Sequence, residues 1–277
     1  MERFSYVLSL LPASVGKSLA ECKRAEEISE IRLRLGQALS IIAGGKEQFL
    51  GPVVSREALE TLLERSTNAS PYAAKETLAQ GYVSARYGIR IGFCGEIVSA
   101  SGLMKNLSSA AIRLPSEQRG WGRRWAEPFS STLILSPPGC GKTTLLRDMV
   151  RLLSDGGERV GLCDDRGELA AVWEGKPGFD VGRCTDVITG GERSRSALML
   201  LRNMSPTVIA MDELTGEREL NACLAVSRCG VRLLATAHAA DRKDLERRNG
   251  YRTLLEQGVF RRLLLIDREH RVREELL

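Results

Sequence analysis

Phe4, Val7, Leu8 and Leu11 recur at the spacing of one helix face, so the chain opens on a predicted short amphipathic helix. Ser5, Ser9 and Pro12 interrupt its apolar stripe and Glu2 offsets Arg3, a poor match to a secretory signal; the stripe is expected to pack on its own domain. From Ile28 to Phe49 the period falls to two. Ile31, Leu33 and Leu35 alternate with Arg32 and Arg34, and Gly36 precedes a second apolar stretch around Leu39, Ile41 and Ile42, which is a hairpin signature. Ala58, Leu59, Leu62 and Leu63 return to helical spacing, and Ser70-Pro71 reads as the start of another helix closed by Gly81. Tyr82 to Val98 is again period two, with Tyr87, Ile89, Ile91 and Phe93 on one face. Residues 1–114 are thus predicted to form a small α+β domain.

The polar stretch 115–130, PSEQRGWGRRWAEPFS, reads as a linker. Its Arg119, Arg123 and Arg124 interleave with Trp121 and Trp125, a pattern that suits either stacking on nucleic-acid bases or pinning the linker to a neighbouring domain. Residues 131–277 follow a different rhythm. Short β-rich runs at Thr132–Leu135, Val160–Cys163, Thr207–Met211, Val231–Ala235 and Leu263–Ile266 alternate with helical segments, which predicts an α/β domain built on a parallel sheet.

Composition narrows the class. With 43% hydrophobic and 27% charged residues over 277 positions, the chain is neither disordered nor polytopic. No apolar run approaches the roughly 18 residues that span a bilayer, so a membrane role is expected to come through a partner. The net charge of +5 is too small to imply nucleic acid by itself. Seven scattered cysteines without a C-x-x-C pair, and two distant histidines, fit reduced thiols in a cytoplasmic protein and not a structural zinc.

The chemistry concentrates in the second half. Ser136-Pro-Pro138-Gly139-Cys140-Gly141-Lys142-Thr143-Thr144 follows an apolar run and opens the predicted helix Leu145–Leu153, the context of a phosphate-binding P-loop. Glycines 139 and 141 let the backbone turn its N–H groups toward phosphate, Lys142 would reach the β- and γ-phosphates, and the Thr143 hydroxyl would bind Mg²⁺. Ser136 stands where the pattern has its first glycine, which is tolerable if that position needs no positive φ. Thr207–Met211 ends in Asp212 and Glu213. Asp212 is placed to hold Mg²⁺ through water and Glu213 to orient and deprotonate an attacking water. Cys163-Asp164-Asp165-Arg166-Gly167-Glu168 supplies competitors for that base, Glu168 or Asp165. Gly190-Gly191-Glu192-Arg193-Ser194-Arg195 precedes a helix with Leu198, Leu201 and Arg202, and its arginines are either an exposed helix start or fingers for a neighbouring subunit's phosphates.

Together these segments resemble the stage III sporulation protein AA family of spore-forming bacteria, and more distantly the ATPases of type II and type IV pilus and secretion systems. The resemblance runs through SEIRLRLGQAL, YGIRIGFCGEIV and SSAAIRLP in the first half, and through PPGCGKTTLLRDMVR, DDRGELA, LRNMSPTVIAMDE and TAHA in the second. It implies a RecA/ASCE-like P-loop NTPase domain whose sheet inserts the strand ending in Thr236-Ala-His238 between the P-loop strand and the acidic strand, so that Thr236 and His238 face the γ-phosphate. It further implies an ATP hydrolase forming a hexameric ring in the mother-cell cytoplasm, docked on a sporulation stage III membrane channel complex. Secretion ATPases carry Gly-Glu where this chain has Asp212-Glu213, and their catalytic glutamate lies near Glu168, which leaves the base open between the two. Two other readings stand beside this one: an ATPase stimulated by nucleic acid along Arg247, Arg248, Arg261, Arg262 and the linker arginines, and a nucleotide-gated scaffold without significant hydrolysis.

Overall fold

A computed structural model describes residues 2–22, 25–67, 78–98, 104–115 and 117–277. Chain contacts divide the molecule into two units, Met1–Ser116 with Trp173–Gly178, and Glu117–Val172 with Phe179–Leu277.

The first unit has helices α1 (Glu2–Leu10), α2 (Ala13–Ala20) and α3 (Arg56–Ser66), and strands β1 (Ile28–Arg34), β2 (Ala38–Ala43), β3 (Lys46–Val53), β4 (Tyr82–Ser84), β5 (Arg90–Ile97) and β6 (Met104–Arg113). The strands form one antiparallel sheet in the order β3-β2-β1-β6-β5-β4. Alternation sorts its faces: Ile31, Leu33, Ile41, Ile91 and Ile112 are buried in one core with Val7, Val15, Leu59 and Leu62 of the helices and Leu11 between α1 and α2. The stripe of α1 therefore packs on its own unit. Ser55 caps α3 by accepting a hydrogen bond from the Ala58 N–H at 3.2 Å. Tyr82–Val98 is not one strand. It reverses at Arg86–Gly88, where Tyr87 takes φ 61° and Gly88 φ 70°, and β4 pairs antiparallel with β5. The turn keeps the parity of the alternation, so period two alone does not reveal it. The helix start at Ser70-Pro71 lies outside the described residues.

The second unit contains α4 (Arg123–Ala126), β7 (Thr132–Leu135), α5 (Lys142–Asp155), β8 (Val160–Asp164), β9 (Thr185–Thr189), α6 (Arg193–Asn203), β10 (Val208–Met211), α7 (Glu217–Arg228), β11 (Arg232–Ala237), α8 (Arg242–Glu246), α9 (Asn249–Glu256), β12 (Arg262–Ile266) and β13 (Val272–Leu276). Its sheet runs β13-β12-β7-β11-β10-β8-β9, parallel except for β13 at one edge. Helices cover both faces. Leu133, Leu135, Ile209 and Leu233 join the core with Leu200 and Val226, while Ile134, Ala210 and Leu234 join the core with Leu145, Met149 and Leu153. Strands buried on both sides read as continuous apolar runs, which is why five of them are visible in the sequence. The other two, β9 and β13, are half-exposed edge strands, TDVIT and VREEL, and lack such a run.

Strand β11 lies between β7 and β10, so the unit has the sheet order of a RecA/ASCE-like P-loop NTPase. The stretch expected as a linker is part of this unit from Glu117 onward. Trp125 is buried in the core around α5, and Trp121 packs against it. Asp148 of α5 accepts hydrogen bonds from the N–H groups of Gly120 (3.1 Å) and Gly122 (2.8 Å), while Arg262 donates to the Trp125 carbonyl at 2.9 Å. Among the described residues no helix is long and apolar enough to cross a membrane.

Candidate phosphate-binding and hydrolytic site

In parallel α/β sheets, ligands collect where the strands' carboxyl ends meet helix N-termini. Here that edge holds the loop 136–141 after β7, the acidic turn after β10 and the end of β11. The loop's conformation follows from its glycines: Gly139 has φ 79° and Gly141 φ 90°, values that L side chains avoid, and a Cβ at Gly141 would also come within 3.1 Å of the Trp121 ring. Ser136 is not in that region, so serine replaces glycine there without strain. His270 donates from Nδ1 to the Cys140 carbonyl at 3.2 Å, bracing the loop from the β12–β13 turn.

Lys142 and Thr143 open α5; Thr143 reaches the acidic turn directly and Lys142 reaches it through His238. The Thr143 hydroxyl donates to Asp212 Oδ2 at 2.7 Å, and the Thr236 hydroxyl donates to Asp212 Oδ1 at 2.5 Å. Lys142 Nζ is 3.2 Å from His238 Nδ1, and His238 Nε2 is 3.0 Å from Glu213 Oε1. One neutral tautomer, with the proton on Nε2, accepts from the lysine and donates to the glutamate, completing a Lys142–His238–Glu213 chain. The sequence-predicted Lys142, Thr143, Asp212, Glu213, Thr236 and His238 are thus brought together. Pro138, Gly139, Cys140 and Thr144 lie in the same loop and first helical turn.

Electrostatics differ among these groups. Burial lowers the Lys142 pKa below the usual lysine range, against the opposing pull of Asp212 and Glu213. Burial would raise Glu213, but the hydrogen bond from His238 and the charges of Arg166 and Lys142 outweigh it and hold the carboxyl below its ordinary value. Arg166 pairs with Glu213 at 2.6 Å. Glu168 moves the other way: burial raises it, Arg166 opposes, and Asp212, Glu213 and Asp164 add to the rise. Two carboxyls of one site are thereby pushed apart, an arrangement frequent where acid–base work is done.

The supports around these groups come mostly from residues remote in the chain, whose targets no linear pattern marks. Asp164 accepts from the N–H groups of Glu168, Leu169 and Ala170 at 2.8–3.0 Å, which makes it a loop cap. Arg147 donates to the carbonyls of Glu168 (2.6 Å) and Leu169 (2.9 Å). Asp165 is 3.4 Å from Arg193, engaged in an ion pair. Arg193, considered as a finger toward another subunit, is 8% exposed and donates to the carbonyls of both Asp212 and Glu213 of its own chain. It closes a turn in which Glu213 takes φ 52°, with Leu214 tied to the Thr236 carbonyl (2.8 Å) and to the Tyr251 hydroxyl. An arginine heading a helix after two glycines was the available signal; its target was not. The expected basic track is also reduced, since Arg262 is buried and ion-paired with Glu274 at 2.9 Å, and Arg248 donates to the His238 carbonyl at 2.9 Å.

As donors, the Thr143 hydroxyl and the Asp212 carboxylate are hard oxygens held together at the head of α5, which fits Mg²⁺ bound through few protein groups plus phosphate and water.

Among solved structures, the chain is similar to the pilus retraction motor PilT with bound ADP (TM-score 0.63, 16% identity, covering 91% of this chain and 76% of that one). It is similar also to the ATPase DotB of Legionella pneumophila (TM-score 0.59, 14% identity, covering 89% and 75%). At these identities the likeness establishes the fold. Closer in sequence is the stage III sporulation protein AA of Bacillus subtilis (strain 168), 31% identical over 95% of this chain and 90% of that protein. The family model for sporulation stage III, protein AA matches residues 1–274, and the chain belongs to that family.

Proposed function

We propose that the chain is a Mg²⁺-dependent ATP hydrolase that powers or assembles a sporulation-linked membrane channel, working as a homo-oligomeric, hexameric ring in the mother-cell cytoplasm. The observation that carries the hydrolytic reading is the pair of side-chain links, Thr143–Asp212 and Lys142–His238–Glu213, that joins the phosphate loop to the acidic turn. The fold shared with a pilus motor that binds ADP supports the nucleotide; the family supports the setting.

Loop amides 139–144 and the N-terminus of α5 receive the β- and γ-phosphates, and the Lys142 ammonium offsets their charge. Thr143 and Asp212 would hold Mg²⁺, which supplies further charge neutralisation on the phosphate oxygens. Glu213, kept ionised by His238 and Arg166, orients a water and accepts its proton as the water oxygen bonds to the γ-phosphorus. The bond from that phosphorus to the β,γ-bridging oxygen breaks, and ADP and phosphate leave. His238 positions both Lys142 and Glu213.

Calorimetric titration of ATP with Mg²⁺, paired with a phosphate-release assay on the same full-length material, tests this. Binding and turnover are expected, with turnover lost on chelation. Binding without turnover at any protein concentration would favour the nucleotide-gated scaffold, and no binding heat would overturn the reading altogether.

A further inference from the structure

Helices α6 and α7 lie side by side on the sheet face opposite α5, and their outer surface is cut by two adjoining cavities of about 750 and 630 Å³ that share Leu198, Arg202 and Ala225. The floor is apolar, formed by Leu198, Leu201, Ala225 and Val231, with Met199 44% exposed beside it. Its rim is basic. Arg159, Arg195, Arg202 and Arg218 line the two cavities against a single acid, Glu192, and of the four only Arg218 is ion-paired among the described residues, with that glutamate at 3.3 Å.

From this we infer that the α6–α7 groove is a docking site for an amphipathic, acidic helix of a partner protein. A concave slot between two helices with apolar residues along its floor is the geometry that accepts the apolar ridge of a third helix. Four arginines against one lining acid give its edges a net positive charge, which selects carboxylates on that helix's flanks. With 11 and 12 residues, α6 and α7 offer a track of about 16–18 Å, which matches about three turns. Nucleic acid fits less well, because the lining contains no aromatic ring on which a base could stack. A membrane surface calls for a continuous protruding apolar face, whereas among the large apolar residues lining the groove only Met199 is exposed.

The probe is a fluorescein-labelled peptide of about 16 residues with leucine at helical three- and four-residue spacing and glutamate, alanine and glutamine between, followed by fluorescence anisotropy on the full chain. Two peptides serve as controls, one with lysine for glutamate and one with the acidic composition scrambled. The acidic helix is expected to bind at least about tenfold more tightly than either control, and less tightly as salt rises. Arg195→Glu with Arg202→Glu should weaken it by about tenfold or more and turn the preference toward the lysine peptide. Ala225→Trp, which fills the shared centre of the groove, should block both peptides; because it alters a packed position, the two exposed arginine changes carry the test if it misfolds. Equal binding of the scrambled peptide, or undiminished binding by the charge-reversed chain, overturns the proposal. So does binding of phosphatidylserine vesicles but not peptide through the same arginines, which would make the face a lipid surface. A concentration-dependent rise in mass abolished by Ala225→Trp, without peptide binding, would make it a contact between copies. None of these readouts needs nucleotide, so they stand apart from the fate of the hydrolytic reading.

Discussion

The phosphate loop and the acidic turn meet at one edge of the same sheet but are held in place by different means. In the loop, conformation is written locally: two glycines at positive φ, the strand before them and the helix after them, with outside support from Trp121 and His270. In the turn, Glu213 adopts φ 52° without being glycine, and side chains distant in sequence hold it there: Arg193 on its carbonyl, Thr236 on its N–H at 2.8 Å, His238 and Arg166 on its carboxylate. Backbone strain of this kind persists only where surrounding contacts over-determine it. If the loop grips phosphate and the turn positions a water, as proposed, a local device and a distributed one should fail differently when cut.

The largest effect is expected at Lys142. Lys142→Ala should remove the ATP binding heat and, with it, turnover, a loss on the order of 10²–10³-fold or more. Retained binding would place the grip elsewhere. Glu213→Gln cuts the other device: binding should survive, while single-turnover phosphate release falls about 10²–10⁴-fold. If Glu213→Gln stays active and Glu168→Gln does not, the base moves to Glu168.

Next comes the hidden support. Arg193→Ala leaves two carbonyls and Asp165 without their donor, so unfolding free energy should drop by about 1–3 kcal/mol and turnover should fall while ATP affinity holds. Free guanidinium restoring turnover would separate lost positioning from general damage. An Arg193→Ala chain with full turnover would detach the turn's geometry from catalysis. Thr236→Val, nearly isosteric, removes the donor to Asp212 and the acceptor for the Glu213 N–H, with a similar expected cost of about 1–3 kcal/mol, and Thr236→Ser should recover most of it.

The smallest effect is a gain. Burial raises the Glu168 pKa, so the folded state holds a proton more tightly than the unfolded state does. Stability from this group is then greatest in acid and declines as pH rises through its raised pKa. Glu168→Gln should accordingly raise the melting temperature slightly at neutral pH, and the gain should vanish as pH falls below the raised pKa. A variant less stable at neutral pH would mean that Glu168 is held by contacts stronger than its burial cost.

The same division explains what could be read from residues alone. Five sheet strands, the loop and the acidic pair were legible because each is a contiguous run with its own pattern. The parity-preserving turn at Tyr87 and the edge strands β9 and β13 were not, since one mimics an unbroken strand and the others lack a buried face. Residues 115–130 read as a linker because polar and glycine-rich composition suits a linker and, from Glu117 on, a packed strap alike. Asp148 and Arg262, which bind the strap down, lie far along the chain.

Sequence alone determined the parallel strands of the second unit and the glycine loop and acidic pair that its sheet brings to one edge, because hydrophobic period and glycine placement act over a few neighbouring residues. Tertiary structure decided which carboxyl is held ionised and which is pushed toward protonation, that Arg193 serves its own turn and not a neighbour's phosphate, and that α6 and α7 leave a basic groove between them. Those outcomes depend on burial and on distances between residues remote in the chain, and a linear pattern encodes neither.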